Sequence, residues 1–321
     1  MKWIVAALSL LCFTAPAAAQ DYPDRPVTLI VPFAAAGPGD IIARLVADAM
    51  RRNLGQEIIV VNVGGAGGTI GTARVAAAKP DGYTILLGHT GQATARGLYK
   101  SLPYDPIEGF EKIGLVTEVP MTVVGKADLA PNDLKSLVEY VKERPDKLNY
   151  AHSGLGSVAH LCGLMFMSAT GTKMTVIPYK GGGEVMKDLL SGQIDVYCEP
   201  ATGTTANIQA GKIKAYAVTT KKRVATLPNV PTTAEAGFPD VGITTWYGLY
   251  APKGTPAPAI AKLSSALQAA LKDPNVISRF AALSMEPVPQ EQATPAALDT
   301  KLRTEEKYWT KLLKDAGVQP E

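Results

Sequence analysis

The sequence is poor in the residue types that most catalytic and metal sites use. Its 321 residues include three histidines (His89, His152 and His160) and three cysteines. So few imidazoles leave little for base catalysis or metal binding. His152 and His160 are eight residues apart, about 12 Å along a single helix, a spacing that does not pair them within one helix. No G-x-S-x-G elbow and no G-x-x-x-x-G-K-[ST] phosphate loop occur. The run from Gly154 to Ala159 matches G-x-G-x-x-A, but no acidic residue lies about 20 positions on, where a ribose partner belongs. Charge of one sign is also missing. The formal net charge is +3, from 32 basic and 29 acidic residues, which leaves no nucleic-acid footprint. Three cysteines are too few for a disulfide scaffold, and 46% hydrophobic residues are too many for a disordered chain.

The conspicuous apolar run is at the start. Met1-Lys2 supplies a positive end, residues 4–13 a short apolar stretch, and Ala17-Ala18-Ala19 a small-residue cleavage site. This predicts a secretory signal peptide over 1–19, cut before Gln20, and a mature protein in the periplasm. The alternative, a membrane anchor, needs about 20 apolar residues. Leu10 and Leu11 before Cys12 stand where a lipoprotein signal would carry small residues. Cleavage leaves two cysteines, Cys162 and Cys198. In an oxidising compartment they permit one bridge, two unconnected buried thiols being the alternative.

In the mature chain, strand-like runs alternate with helical spacing. Runs at 27–33, 57–62 and 83–88 are separated by helical patterns at 41–50 and 72–78. A second such unit has strands at 148–151, 176–179, 194–198 and 213–219. Between them lies a helix in which Val158, Leu161, Cys162, Met165 and Phe166 fall on an amphipathic stripe, and a second helix at 184–190. Such alternation predicts an α/β fold with parallel sheets. Extended β-branched and aromatic runs at 113–124 and 244–251 read as two strands crossing between lobes, and helical patterns at 258–272 and 294–316 as a return to the first lobe. The expected division is 20–124 plus 244–321 for domain I and 125–243 for domain II, with a cleft under the hinge.

Each lobe carries a strand, a small-residue loop and a helix start: Phe33, Ala34, Ala35, Ala36, Gly37, Pro38, Gly39 and Asp40 in the first, and Ser153, Gly154, Leu155, Gly156 and Ser157 in the second. Helix N-termini expose unpaired N–H groups, and small residues let an anion reach them. Two such loops facing one another suit a ligand with carboxylates. As ordinary turns, the same loops would only place Asp40 and Ser157 as helix caps, and Asp40 repels an anion unless it is turned away. Lys180 before Gly181-Gly182-Gly183, and Thr90, Gln92 and Thr94 after the strand at 83–88, are further polar candidates. His160 reads as a partly buried polar residue, Trp246 and Tyr247 as an aromatic wall or core, and 221–223 as a solvated face.

These residues resemble the Bug/TctC family, extracytoplasmic solute receptors of tripartite tricarboxylate transporters. The resemblance rests on Tyr22-Pro23-Asp24-Arg25-Pro26, Val31-Pro32-Phe33-Ala34-Ala35, Asn62 with 64–71, Pro80-Asp81-Gly82-Tyr83-Thr84, Pro178-Tyr179-Lys180-Gly181, Gly192-Gln193-Ile194-Asp195, Pro228-Asn229-Val230-Pro231-Thr232 and Gly248-Leu249-Tyr250-Ala251-Pro252. It implies a bilobed Venus-flytrap binding protein, monomeric and without a cofactor, that captures a carboxylate, a dicarboxylate by expectation, and delivers it to membrane permease subunits. It further implies that one carboxylate is held by backbone amides and waters at 33–39, with Gly64, Gly65, Ala66 and Gly67 beside it. The far end would meet 153–157, His160, Lys180, Gly181, Gly182 and Asp195. Ala36 stands where the family usually has glycine, and Gly39 where it has Ser or Thr. Cys162 and Cys198 occur as a pair in part of the family. The competing functions are an exported enzyme acting on small acids, for which no catalytic cluster is visible, and a receptor feeding a two-component sensor.

Overall fold

The computed structural model describes residues 22–315 and 317–320; the expected signal peptide lies outside the described residues. The elements run β1 (Val27–Val31), α1 (Pro38–Leu54), β2 (Ile58–Asn62), a 3-10 turn (Ala66–Gly68), α2 (Thr69–Ala76), β3 (Thr84–His89), α3 (Gly91–Leu98) and β4 (Phe110–Lys126). They continue through α4 (Leu134–Lys142), β5 (Asn149–His152), α5 (Val158–Thr170), β6 (Thr175–Pro178), α6 (Gly182–Leu190), β7 (Val196–Pro200), α7 (Ala201–Gln209) and β8 (Ile213–Val218). Last come β9 (Thr244–Pro252), α8 (Ala257–Ala270), α9 (Pro274–Ala282), β10 (Glu286–Pro287) and α10 (Pro295–Asp315).

The strands form two sheets that share β4. In the first, β2, β1 and β3 are parallel, and β9 runs antiparallel between β3 and the first part of β4. In the second, β6, β5 and β7 are parallel, and β7 and β8 flank the last residues of β4, from Met121 on, antiparallel to it. The chain therefore passes from one lobe to the other inside a single 17-residue strand, at Pro120/Met121. It returns at Ile243/Thr244, beside the same spot. The Thr219 amide donates to Met121 O at 2.9 Å, and its hydroxyl bonds to Ile243 O.

Local sequence explains the elements. In α1, Pro38 sits in the first turn, Gly55 closes the helix at φ 71°, and Ile42, Val46, Ala49 and Met50 are buried. The pattern is the expected one, with the buried stripe turned by one position, so that Ile41 and Leu45 are only half-buried. Each large aliphatic side chain enclosed there stabilises the fold by about 2 kcal/mol. The amphipathic expectation for α5 fails. Residues 158–163, Met165 and Phe166 are all buried, because the helix is packed on most sides rather than laid on a surface. Within it, Cys162 is disulfide-bonded to Cys198 of β7, with a Cα–Cα distance of 6.2 Å.

Candidate functional site

The carboxyl ends of the parallel strands of both lobes carry the loops that meet between them. In the first lobe, Gly37 precedes α1 in an extended conformation with no side-chain cap on the helix. Asp40 is buried and turned back on its own loop: its Oδ2 accepts from the Ala36 amide at 2.9 Å and from Arg44 Nε at 3.1 Å. Burial works to raise its pKa, but Arg44, the Ala36 N–H and Asn62 together hold it below the ordinary carboxylate value. Asp40 is thus an internal anion neutralised by Arg44, and the Ala36 N–H is committed to it. Asn62 ties the neighbouring loop in by donating to Phe33 O at 3.2 Å. The Phe33 ring packs edge-on against His89, and Gly64 lies against the Phe33 and Ala34 backbone.

Each of the three histidines accepts a hydrogen bond at Nδ1 from a glycine N–H. The pairs are His89 with Gly91 (3.0 Å), His152 with Gly154 (3.2 Å) and His160 with Gly156 (3.4 Å). Acceptance at Nδ1 places the neutral ring's proton on Nε2. Burial pushes His89 and His160 down to about 4 and lowers His152. The spacing argument against proximity of His152 and His160 does not hold. Their ring centroids are 4.7 Å apart, since one ends β5 and the other lies one turn into α5. Two consequences correct the sequence expectation for the second loop. The Gly154 and Gly156 amides point at imidazoles, and α5 is capped by Ser157, whose Oγ accepts from the His160 amide at 3.2 Å.

Helix starts without a side-chain cap in the second lobe are instead those of α6, where Gly181 is extended and Gly182 begins the helix, and of α7 after Pro200. Lys180 is exposed at the edge of α6. Facing Gly182 is a residue that sequence reasoning missed. Glu199, near the end of β7, is 8% exposed, and its Oε2 accepts from the Tyr197 hydroxyl. A Cβ on Gly182 would come within 2.9 Å of Glu199 Oε1 and 3.0 Å of Tyr197 Oη, so any larger residue there crowds both side chains. Tyr197 also hydrogen-bonds Ser153. Ser153, Gly182, Tyr197 and Glu199 therefore form one polar cluster. The legible signal was an acid following a strand of otherwise apolar residues, Cys198-Glu199-Pro200. Burial without a cation raises Glu199 to about 7, against the lowering effect of Tyr197.

Two candidates fall elsewhere. Asp195 precedes β7 at the opposite end of the strand, where it pairs with Lys126 at 2.9 Å and accepts from the Asn149 amide at 2.8 Å; it holds the far edge of the sheet. Thr90 is fully buried, and its hydroxyl accepts from the Trp246 amide at 3.1 Å, fastening the start of α3 to β9. Gln92 and Thr94 are likewise buried and bonded to Pro106 O and Gly91 O.

The lobes touch at Gly67. Its φ is +62°, and a Cβ there would stand 2.3 Å from Leu155 O. Tyr247 joins the two halves of the site. Its ring borders Gly39 on the first-lobe loop, and its hydroxyl, whose pKa is raised first by burial, also feels the Glu199 carboxyl of the second lobe.

Two α/β lobes on a shared strand, with an uncapped helix start in each, give the architecture of a bilobed binding protein. The family profile described as tripartite tricarboxylate transporter family receptor (TctC) matches residues 42–317, and the chain belongs to this family of solute-binding receptors, Bug/TctC. Among solved structures it is similar to the periplasmic binding protein BugD, with 49% identity and a TM-score of 0.88 over 94% of this chain and 100% of that one. It is also similar to MatC of Rhodopseudomonas palustris with bound malate (37%, TM-score 0.86, 91% and 100%). A third similar structure is R. palustris Rpa4515 with adipate (32%, TM-score 0.88, 94% and 100%). The fold is that of periplasmic binding proteins, and the chain is a receptor, not an enzyme.

Proposed function

We propose that this receptor captures a small dicarboxylate between its lobes and delivers it to the permease subunits of a tripartite tricarboxylate transporter. The observation that carries the reading is the pair of uncapped helix starts, α1 at Gly37 and α6 at Gly181, at the inner ends of the two lobes. An uncapped helix start offers unpaired N–H donors and a partial positive charge, so an anion can be held without an arginine clamp. Malate and adipate in two similar proteins support the ligand class. In this reading 1–19 is removed on export, 20–120 with 244–321 form one domain and 121–243 the other, the first boundary lying at Pro120/Met121 and not at 124/125 as the sequence suggested, because β4 changes sheets there, and the receptor works as a monomer.

Calorimetric titration with C4 to C8 dicarboxylates, citrate and aromatic carboxylates tests it. Binding of at least one dicarboxylate with micromolar affinity is the expected result; no binding by any at millimolar concentration overturns it. Gly37→Asp sharpens the test. Gly37 is half-buried at the N-cap with φ −80°, so an aspartate there can cap α1 and favour the helix while its carboxylate repels an anionic ligand. The variant is expected to keep its melting temperature and lose at least about tenfold in affinity, the equivalent of 1.4 kcal/mol.

A further inference from the structure

Glu199 is the charged-type side chain most closely enclosed at the inner end of the second lobe, and its surroundings fix the form in which it can act. The titratable groups that face it are phenols: Tyr197 on its own strand, Tyr150 on β5 and Tyr247 on β9, all deeply buried. The two helices packed against it, α6 and α7, present Gly182 and Gly203 to its Oε1. Among the described residues no lysine, arginine or histidine is ion-paired with it, burial and Tyr197 being what acts on its carboxyl. The phenolic proton of Tyr197 is directed at Oε2, which leaves Oε1 as the oxygen able to carry the acid's own proton. Oε1 lies at Gly182, beside the uncapped start of α6.

An ionised carboxylate at that position would repel a ligand carboxylate, whereas a carboxylic acid would donate to it through a short, charge-assisted O–H···O⁻ bond. We propose that Glu199 is the specificity-determining residue of the second lobe: as a neutral acid it donates a hydrogen bond from Oε1 to the far carboxylate of the ligand, so that the receptor takes up a dicarboxylate dianion together with one proton. The proposal rests on the carboxylate-receptor reading above. It explains how a second negative charge is accepted beside a buried carboxyl group that has no cationic partner of its own. The proton comes from solvent, and the ionised unliganded receptor above neutral pH is the form that must acquire it.

The test is calorimetry of the whole receptor with malate and adipate at pH 6, 7, 8 and 9, each in two buffers of different ionisation enthalpy. His89 and His160 titrate below this range, burial lowers His152 as well, and the ligands are predominantly dianions in it. If only the protonated form binds, the apparent Kd rises with the shrinking competent fraction, about a hundredfold between pH 6 and pH 9, with uptake approaching one proton at pH 8 and above. Glu199→Gln, a permanent neutral donor, is expected to bind within about fivefold of the unaltered receptor at pH 6, with no pH dependence. Glu199→Ala is expected to bind weakly at every pH. Melting curves of the unliganded variants separate loss of contact from loss of fold. A pH-independent Kd without proton uptake in the unaltered receptor overturns the proposal and leaves the receptor reading standing. So does loss of binding in folded Glu199→Gln at pH 6, since that means the group acts as an anion. Failure of the unaltered receptor to bind any carboxylate at pH 6 overturns both.

Discussion

The hydroxyl of Tyr99, just past α3 in the first lobe, lies 3.2 Å from the backbone carbonyl of Leu155 in the second. The same hydroxyl is 3.1 Å from Ala66 O, so one proton is shared between two carbonyls on the two sides of the lobe contact. A net hydrogen bond contributes about 1 kcal/mol. Tyr99→Phe is expected to weaken closure and raise the ligand Kd about fivefold, with a larger radius of gyration in solution scattering. An unchanged Kd and radius would show that the contact is incidental to closure.

Ala36 adopts φ +63°, a left-handed conformation that costs an L-residue with a Cβ about 1 to 2 kcal/mol. Ala36→Gly relieves that strain, and its N–H bond to Asp40 is kept. Allowing for the greater freedom of glycine in the unfolded chain, a gain of about 0.5 to 1 kcal/mol is expected in urea denaturation. A loss of stability would contradict the conformation.

His89 and His160 have native pKa values of about 4, lowered first of all by burial. The sign follows directly: the unfolded chain takes up protons at about 6.5 and the native one only near 4. Their contribution to stability is therefore full above pH 6.5 and is lost as pH falls toward 4. The loss is on the order of 3 kcal/mol for each ring. Melting temperature should fall across that window, and nitrogen NMR should show both rings neutral at pH 5.5 with the proton on Nε2. Imidazolium signals at pH 5.5 would count against the Gly91 and Gly156 pairings.

The Cys162–Cys198 bridge closes a loop with a sequence separation of 36 and joins α5 to β7. Replacing both residues by serine should cost about 3 kcal/mol, seen as a lower denaturation midpoint. Labelling of the oxidised, unfolded protein with a thiol reagent should give no adduct, and one or two adducts would sink the assignment.

Much of this architecture is legible in the sequence because parallel strands such as Val27–Val31 are nearly continuous apolar runs, broken only by Thr28, and a helix such as α1 carries a period-3.6 stripe. Helices α3 and α7 escape such a reading. Gly91-Gln92-Ala93-Thr94 and Ala201-Thr202-Gly203-Thr204-Thr205 are poor helix formers held by tertiary packing. In the site, the glycine loops announce themselves, but the use of each amide does not. Whether the Gly154 N–H faces a ligand or His152 depends on where β5 sets the imidazole, a contact that sequence spacing does not encode. Glu199 is hidden for a related reason: its meaning comes from three tyrosines contributed by different strands and two glycines at helix starts.

The insertion of β9 between β3 and β4 dictates an order of assembly. All the strands of the second sheet have been synthesised by Val218, whereas the first sheet has a gap between β3 and β4 until Thr244–Pro252 arrives. During vectorial emergence of the chain, the later half can thus complete its sheet first, and the amino-terminal strands wait with an unfilled slot for the tail to dock.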